Sequence, residues 1–391
     1  MTRTFALSAL LAALAAPTLA QVPCGGSFGE FVAAMQAEAV AQGHDPAAAR
    51  QFFARASQDP KVLRADRAQG VFQLPFTDFS RRLISQNRID HGKANLEKHA
   101  DTFARVQQTY GVSPGVLLAF WAFETDYGGF QGDFNTLNSL MTLSHDCRRP
   151  ELFQPQVMAA LTLYEMGDFD PATTGAWAGE VGMVQMLPQD ILENGVDGDG
   201  DGLIALKTSV PDALMSGGAM LRALGWRPNE PWLQEIVVPE GLDWAETGLN
   251  HTKTATDWQA LGVRGRNGPL LRPDLPASIL LPQGRHGPAF LTYPNFAVFL
   301  EWNQSMVYVT TAAYFATELE GAPPYDPGTP DPALSGEQLM ALQQKLSDRG
   351  YDVGGIDGIL GERTREAVQA EQIRLGLPAD AWPTADLLGR L

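Results

Sequence analysis

Apolar residues recur at three- and four-residue spacing over Phe28 to Gln42, Pro46 to Ala56, Phe76 to Gln86 and Ala94 to Tyr110, the period of amphipathic helices. Residues 27 to 180 therefore read as a mostly helical body. One stretch breaks the amphipathic rule: behind Ser113-Pro114-Gly115 every residue from Val116 to Phe123 is apolar. A helix without a polar face is buried all round, with Ser113 as its expected N-cap and Pro114 as its first helical position. From 225 to 295 Pro, Gly and Trp become frequent, and short runs such as Glu235-Ile236-Val237-Val238 read as strands. The pattern predicts a mainly α domain with a small β-containing insertion.

Residues 321–333 hold Pro323, Pro324, Pro327, Pro330 and Pro332 and little that could enter a core, which reads as a semi-rigid extended linker. It divides a domain over 21–320 from a C-terminal module over 334–391. In that module Leu339, Leu342 and Leu346 mark one helix face ending at Gly350. A turn-rich stretch, Gly354 to Gly361, then leads to a second helix that opens at Thr364 and closes near Gly376. A unit this small is marginal alone, so a simple helical bundle is expected.

The N-terminus has the composition of an export signal. Arg3 precedes an apolar run, Phe5 to Ala16, too short to span a bilayer, and Thr18-Leu19-Ala20 fits a cleavage site. Residues 1–20 are thus expected to be removed, with the mature chain starting near Gln21. Pro17 opposes the alternative of an uncleaved anchor, and no later stretch has the length of a membrane span. In an exported chain the two cysteines, Cys24 and Cys147, are expected to pair, two free thiols being the alternative.

Composition removes several functions. With 45% hydrophobic and 19% charged residues the chain has a globular balance rather than a disordered one. Lys and Arg number 28 against 45 Asp and Glu, a net charge of -17, which opposes capture of a nucleic acid. His44, His91, His99, His145, His251 and His286 stand singly without zinc-site spacing, and no phosphate-binding glycine loop is present.

Candidate chemistry starts at Glu124, which ends the all-apolar helix beside the Gly128-Gly129 turn. A desolvated carboxyl keeps its proton to higher pH, the property that a general acid for a glycosidic oxygen needs. Taken alone, a Glu ending a buried helix is more often paired with an arginine. Four segments then follow in order: Glu124-Thr125-Asp126-Tyr127-Gly128; Gly179-Glu180-Val181-Gly182-Met183-Val184-Gln185-Met186-Leu187-Pro188; Tyr293-Pro294-Asn295-Phe296; and Trp302-Asn303-Gln304-Ser305-Met306-Val307-Tyr308. They resemble the E-T-x-[YF]-G, G-A-M-G-x-x-Q-F-M-P, Y-x-N-F and [RW]-[YW]-N-x-S-x-x-Y motifs of the membrane-bound lytic murein transglycosylase B-type family. The resemblance runs from Phe28 to Leu319, and Asp146-Cys147-Arg148-Arg149 is similar to a segment of its soluble relatives.

That resemblance implies a goose-lysozyme-like helical fold and cleavage of the MurNAc-β-1,4-GlcNAc bond of peptidoglycan glycan strands, with no cofactor for the chemistry. It implies that Glu124 protonates the leaving oxygen while the substrate's N-acetyl oxygen attacks the anomeric carbon. Glu124 then takes the C6 hydroxyl proton as a 1,6-anhydro ring closes. Tyr127, Gln185, Asn303 and Tyr308 match positions that line the family's sugar cleft, where amides and phenols suit hydroxyl and N-acetyl groups. No second carboxylate is obviously placed as a nucleophile, and Asp126 is expected on another helix face. A muramidase using water and a silent peptidoglycan-binding scaffold remain the alternatives. Ala176, in place of a Ser, and Glu180, in place of the Ala of G-A-M-G, depart from the pattern, as does Met186-Leu187. The substrate implies a Gram-negative periplasm.

The C-terminal order L-x-x-L-Q-x-x-L, G-Y, D-G-x-x-G, T-x-x-A-V resembles a three-helix peptidoglycan-binding module, with Glu371 where that family has an aromatic. Finally, Asp197, Asp199 and Asp201 alternate with glycines up to Gly202, the spacing of a calcium loop. Thr208 stands where the closing Glu belongs, and Asp212 is similar to a later Asp that closes such loops in some relatives. Asp197, Asp199, Asp201 and Asp212 are the candidate ligands of a structural calcium ion, a solvated acidic turn being the alternative.

Overall fold

Residues 22–68 and 74–391 are described in a computed structural model; the export segment 1–20 lies outside the described residues. Helices form where the pattern places them, among them Phe28–Ala41, Pro46–Phe53 and Phe76–Leu83. The Ala94 to Tyr110 segment differs from expectation. It is parts of two helices, Gln86–Lys98 and Ala100–Tyr110, broken at His99, whose ring meets Trp121 edge-on at 5.9 Å. A local period does not register such a bend, because a packing partner from another segment sets it.

The helix Pro114–Thr125 is buried from Gly115 to Ala122 and packs along Met306–Leu319, itself almost wholly buried. Ser113 precedes it but does not cap it: its hydroxyl donates to Glu320, and the Gly115 N–H donates to Glu320 Oε1 at 3.2 Å. A carboxylate from the end of the neighbouring helix thus supplies the acceptor, and its charge suits the positive end of the helix dipole.

The insertion is a five-stranded antiparallel sheet in the order Lys253–Thr254, Pro276–Leu280, Phe290–Thr292, Leu233–Val237, Arg264–Gly265. One side has its own core around Trp258, Ile279 and Leu291, while Leu233, Leu280 and Phe290 join the helical core. A separate two-stranded pair, Phe134–Asn135 with Thr174–Gly175, ties the segment behind Glu124 to the segment before Glu180.

Residues 321–333 are extended, but they are not an idle spacer. Tyr325 enters the core between Phe76, Tyr314 and Phe290, with ring centroids 5.2, 5.1 and 6.0 Å away. Its hydroxyl meets Ser80 Oγ at 2.5 Å. The Asp326 N–H donates to buried Glu235, and Tyr314 donates to the Pro323 carbonyl. The little that the segment offers a core is Tyr325, and this one aromatic among prolines anchors the strap.

The module consists of Gly336–Asp348, Glu362–Arg374 and Ala385–Arg390 around Leu342, Leu346, Val368 and Leu387. Buried Gln343 organises the D-G-x-x-G turn, its amide donating to Asp357 and Ile359 while its oxygen accepts from the N–H groups of Asp357 and Gly358. Glu371 is buried yet paired with Arg374 at 2.7 Å, so the carboxylate is held where an aromatic was expected. The module docks on the insertion: Arg365 donates to the Pro282 carbonyl at 2.5 Å, Gln369 to that of Thr247, and Asp380 pairs with Arg285.

Candidate active site

Glu124 sits in the last turn of Pro114–Thr125, half-buried at the end of the helix's buried run. Rings on that helix set its neighbours. Phe120 stacks on Trp302 at 4.3 Å, and Phe123 lies parallel to Phe315 at 5.0 Å and edge-on to Tyr308. Trp302 Nε1 then donates to Glu124 Oε1 at 3.2 Å, and the Tyr308 hydroxyl donates to the same oxygen at 2.5 Å. Among the described residues no group donates to Oε2, so that oxygen is left for a ligand.

Burial pushes the Glu124 carboxyl up to about 7, against the two hydrogen bonds, which favour its ionised form; the nearby Glu180 adds a smaller push upward. Burial, then the Glu124 charge, raises the Tyr308 phenol well above its usual value, so it remains a donor.

Thr125 joins two of the motifs. Its hydroxyl donates to the Met183 carbonyl at 2.6 Å and accepts from the Gly128 N–H at 3.0 Å, fixing the turn behind Glu124 to the 179–188 loop. That loop is closed by a pair of backbone bonds between Val181 and Met186. Glu180 within it has its carboxyl raised by burial, and its Oε2 is buried without a partner.

The other expected residues take these places. Asp126 is not on a helix face at all: it lies past the helix end with φ 51°, and its carboxylate binds Arg88 Nε at 2.9 Å. Tyr127 follows with φ 59°, packs edge-on to Trp121 and gives its hydroxyl to the Arg88 carbonyl at 2.7 Å. Two side-chain-bearing residues in succession in the left-handed region make this a strained turn, held by those contacts. Gln185, also at positive φ, donates to the Gly182 carbonyl at 2.7 Å. Asn303 Oδ1 accepts from the Ser305 N–H at 2.9 Å, which sets the turn between Trp302 and Tyr308. Asn295 of the Y-P-N-F motif is fully buried and bonds Arg227 and Glu230, a structural duty. Trp302 and Thr125 also lie in the motifs, yet an indole 178 positions from a Glu carries no local mark of their contact.

Away from the cleft, Cys24 and Cys147 form a disulfide. Arg148 and Arg149 clasp the buried Asp66, each at 2.5 Å, and Asp146 pairs with Arg67. Asp197, Asp199 and Asp212 bring carboxylate oxygens within 4.8 Å of one another. Asp212 is fully buried with no ion pair among the described residues, and its oxygens accept from the N–H groups of Gly198 and Ala205. Asp201 stands outside this group and accepts from the Leu203 N–H. An all-oxygen set around a buried carboxylate fits a hard divalent cation.

Residues 27–317 match the family described as transglycosylase SLT domain, and residues 335–391 match a peptidoglycan binding domain. Membrane-bound lytic murein transglycosylase B of Escherichia coli (strain K12) is 29% identical over 240 residues, covering 59% of this chain and 63% of that protein's length. SltB3 from Pseudomonas aeruginosa, in complex with NAG-anhNAM-pentapeptide, is 37% identical with a TM-score of 0.86, over 94% of this chain and 99% of that one. The Escherichia coli lytic transglycosylase SLT35 in complex with calcium shares the fold at 23% identity and a TM-score of 0.63, over 78% and 98% of the two chains. The protein therefore belongs to the family of transglycosylase SLT domains, and it carries a peptidoglycan binding domain behind that domain.

Proposed function

We propose that the protein is an exported, periplasmic lytic transglycosylase that cleaves the MurNAc-β-1,4-GlcNAc bond of peptidoglycan and leaves 1,6-anhydro-MurNAc ends. The observation that carries this reading is the Glu124 carboxyl, desolvated, held through Oε1 by Trp302 and Tyr308, and open at Oε2. The proton on Oε2 passes to the leaving glycosidic oxygen as the N-acetyl oxygen of the substrate attacks the anomeric carbon. The resulting carboxylate is stabilised by the same two donors. It then takes the C6 hydroxyl proton as the C6 oxygen displaces the N-acetyl oxygen, so Glu124 ends as it began and no water is consumed. The engagement of Asp126 by Arg88 supports a one-carboxyl course. In this reading Tyr127, Gln185 and Asn303 shape the cleft and Tyr308 serves the acid directly, while the module holds the wall.

Mass spectrometry of sugars released from purified sacculi tests it. Products one water lighter than reducing muropeptides and inert to borohydride are expected. Reducing ends would make the protein a hydrolase and turn attention to Glu180; binding without release would make it a scaffold.

The pH dependence follows from the acid. Below about 7 the carboxyl holds its proton, so kcat/KM on glycan strands is expected to be level there and to fall about tenfold per pH unit above it. A profile still level at pH 9 would remove Glu124 as the acid.

Asp197, Asp199 and Asp212 hold a structural calcium ion in this proposal, with no part in the chemistry. Millimolar calcium is expected to raise the melting temperature by several degrees, a stabilisation of about 2–3 kcal/mol at a hundredfold excess over Kd. Asp199→Asn should abolish the rise. An unchanged melting temperature for the unaltered protein would leave the loop as a solvated acidic turn.

A further inference from the structure

Phe130 exposes 81% of its surface and is the one exposed aromatic among the described residues; the other exposed large apolar side chains are aliphatic, at 37% to 59%. A ring so exposed on a floppy loop would need no explanation, but this loop is pinned. The Phe130 N–H donates to the Thr125 carbonyl at 2.8 Å, which brings its backbone to the residue beside Glu124. The Gln131 amide donates to the carbonyls of Gly128 and Lys207. Gly132, at φ +83°, lies so close to Gly175 that a Cβ would meet the Gly175 oxygen at 2.1 Å. Gly175 in turn abuts the Glu180 carbonyl, where a Cβ would sit at 2.0 Å. The Phe130 loop and the Glu180 loop are thus joined at close range on the flank of Glu124, apart from the helix that carries Tyr308.

We infer that Phe130 is a sugar-stacking subsite, its ring receiving the C–H face of a pyranose of the glycan strand beyond the bond that Glu124 protonates. The inference rests on the proposed function for the occupant. Pyranoses present an apolar C–H face that an aromatic ring covers without charge, and a ring carried on a pinned backbone does so without the cost of ordering its loop. Glu124 lies six residues back along a closed turn, which places the platform within the reach of one strand spanning both. Aromatic side chains that serve only the fold are buried here; this one is held out by its backbone.

The test uses the full chain with Phe130→Ala and Phe130→Trp on peptide-free glycan strands. Phe130→Ala is expected to raise KM about five- to tenfold with kcat nearly unchanged. Phe130→Trp should restore KM, and its added fluorescence should respond to N-acetylglucosamine tetramer. The melting temperature of Phe130→Ala should match that of the unaltered protein, since the ring packs on little. Unchanged KM in Phe130→Ala, with normal release of anhydro products, would overturn the subsite alone. A change in oligomeric state in place of KM would also overturn it, because the ring would then cover a second copy. Failure of the unaltered protein to release anhydro products would instead overturn the functional reading.

Discussion

Glu124→Gln is expected to lower kcat on glycan strands by about a thousandfold or more, because one side chain supplies the proton and later removes one. General acid–base assistance contributes about 10²- to 10⁴-fold, and here two successive steps draw on the same carboxyl. Gln keeps the volume and an oxygen for Tyr308 and Trp302, so the fold and glycan binding should persist. A second readout separates chemistry from structure. The folded carboxyl is raised to about 7 from the ordinary 4.5, so its stability contribution is full below pH 4.5 and is lost as the pH rises through 7. The Gln variant, which cannot ionise, should therefore gain stability relative to the unaltered protein between pH 5 and pH 8. Cleavage within tenfold of the unaltered rate would refute the assignment of the acid.

Removing the disulfide should have the largest effect on stability. Cys24 and Cys147 close a sequence separation of 123, and a loop of that size gives about 4–5 kcal/mol in the chain-entropy account. The bridge works with its surroundings: the Gly25 N–H donates to the His145 carbonyl, and Gln154 exchanges two hydrogen bonds with the Val22 backbone. Beside it, Arg148 and Arg149 hold the buried Asp66. Without the bridge, the first helix has to be held by its apolar face and these few hydrogen bonds. Cys24→Ser with Cys147→Ser is expected to lower the melting temperature by roughly ten degrees, and reductant should do the same to the unaltered protein. Calorimetry with and without reductant decides it; coincident transitions would mean that the bridge adds nothing to the fold. The kcat at 25 °C should change little, since Cys24 and Cys147 lie apart from the groups on Glu124.

Much of this protein is written locally. The unbroken apolar run from Val116 to Phe123 marks a helix that has to be buried, and it puts Glu124 at the end of that helix, where burial raises its carboxyl. Leu339, Leu342 and Leu346 give the first helix of the module its inner face, and short apolar runs between prolines mark the sheet. These features depend on spacing and polarity within a dozen residues, which is information a chain carries in order.

Other features depend on which distant segments meet. Glu320 takes over the capping that Ser113 was expected to perform, and Tyr325 turns a Pro-rich strap into part of the core. Asp126 leaves the helix because the chain turns into the left-handed region, where Arg88 meets it. The same holds at the acid itself: Trp302 and Tyr308 lie 178 and 184 positions from Glu124, and Thr125 reaches Met183 across 58. Periodicity records whether a side chain faces a core, not which atom waits there. Hydrogen bonds work over about 3 Å, and only the packing of whole helices brings such groups to that distance.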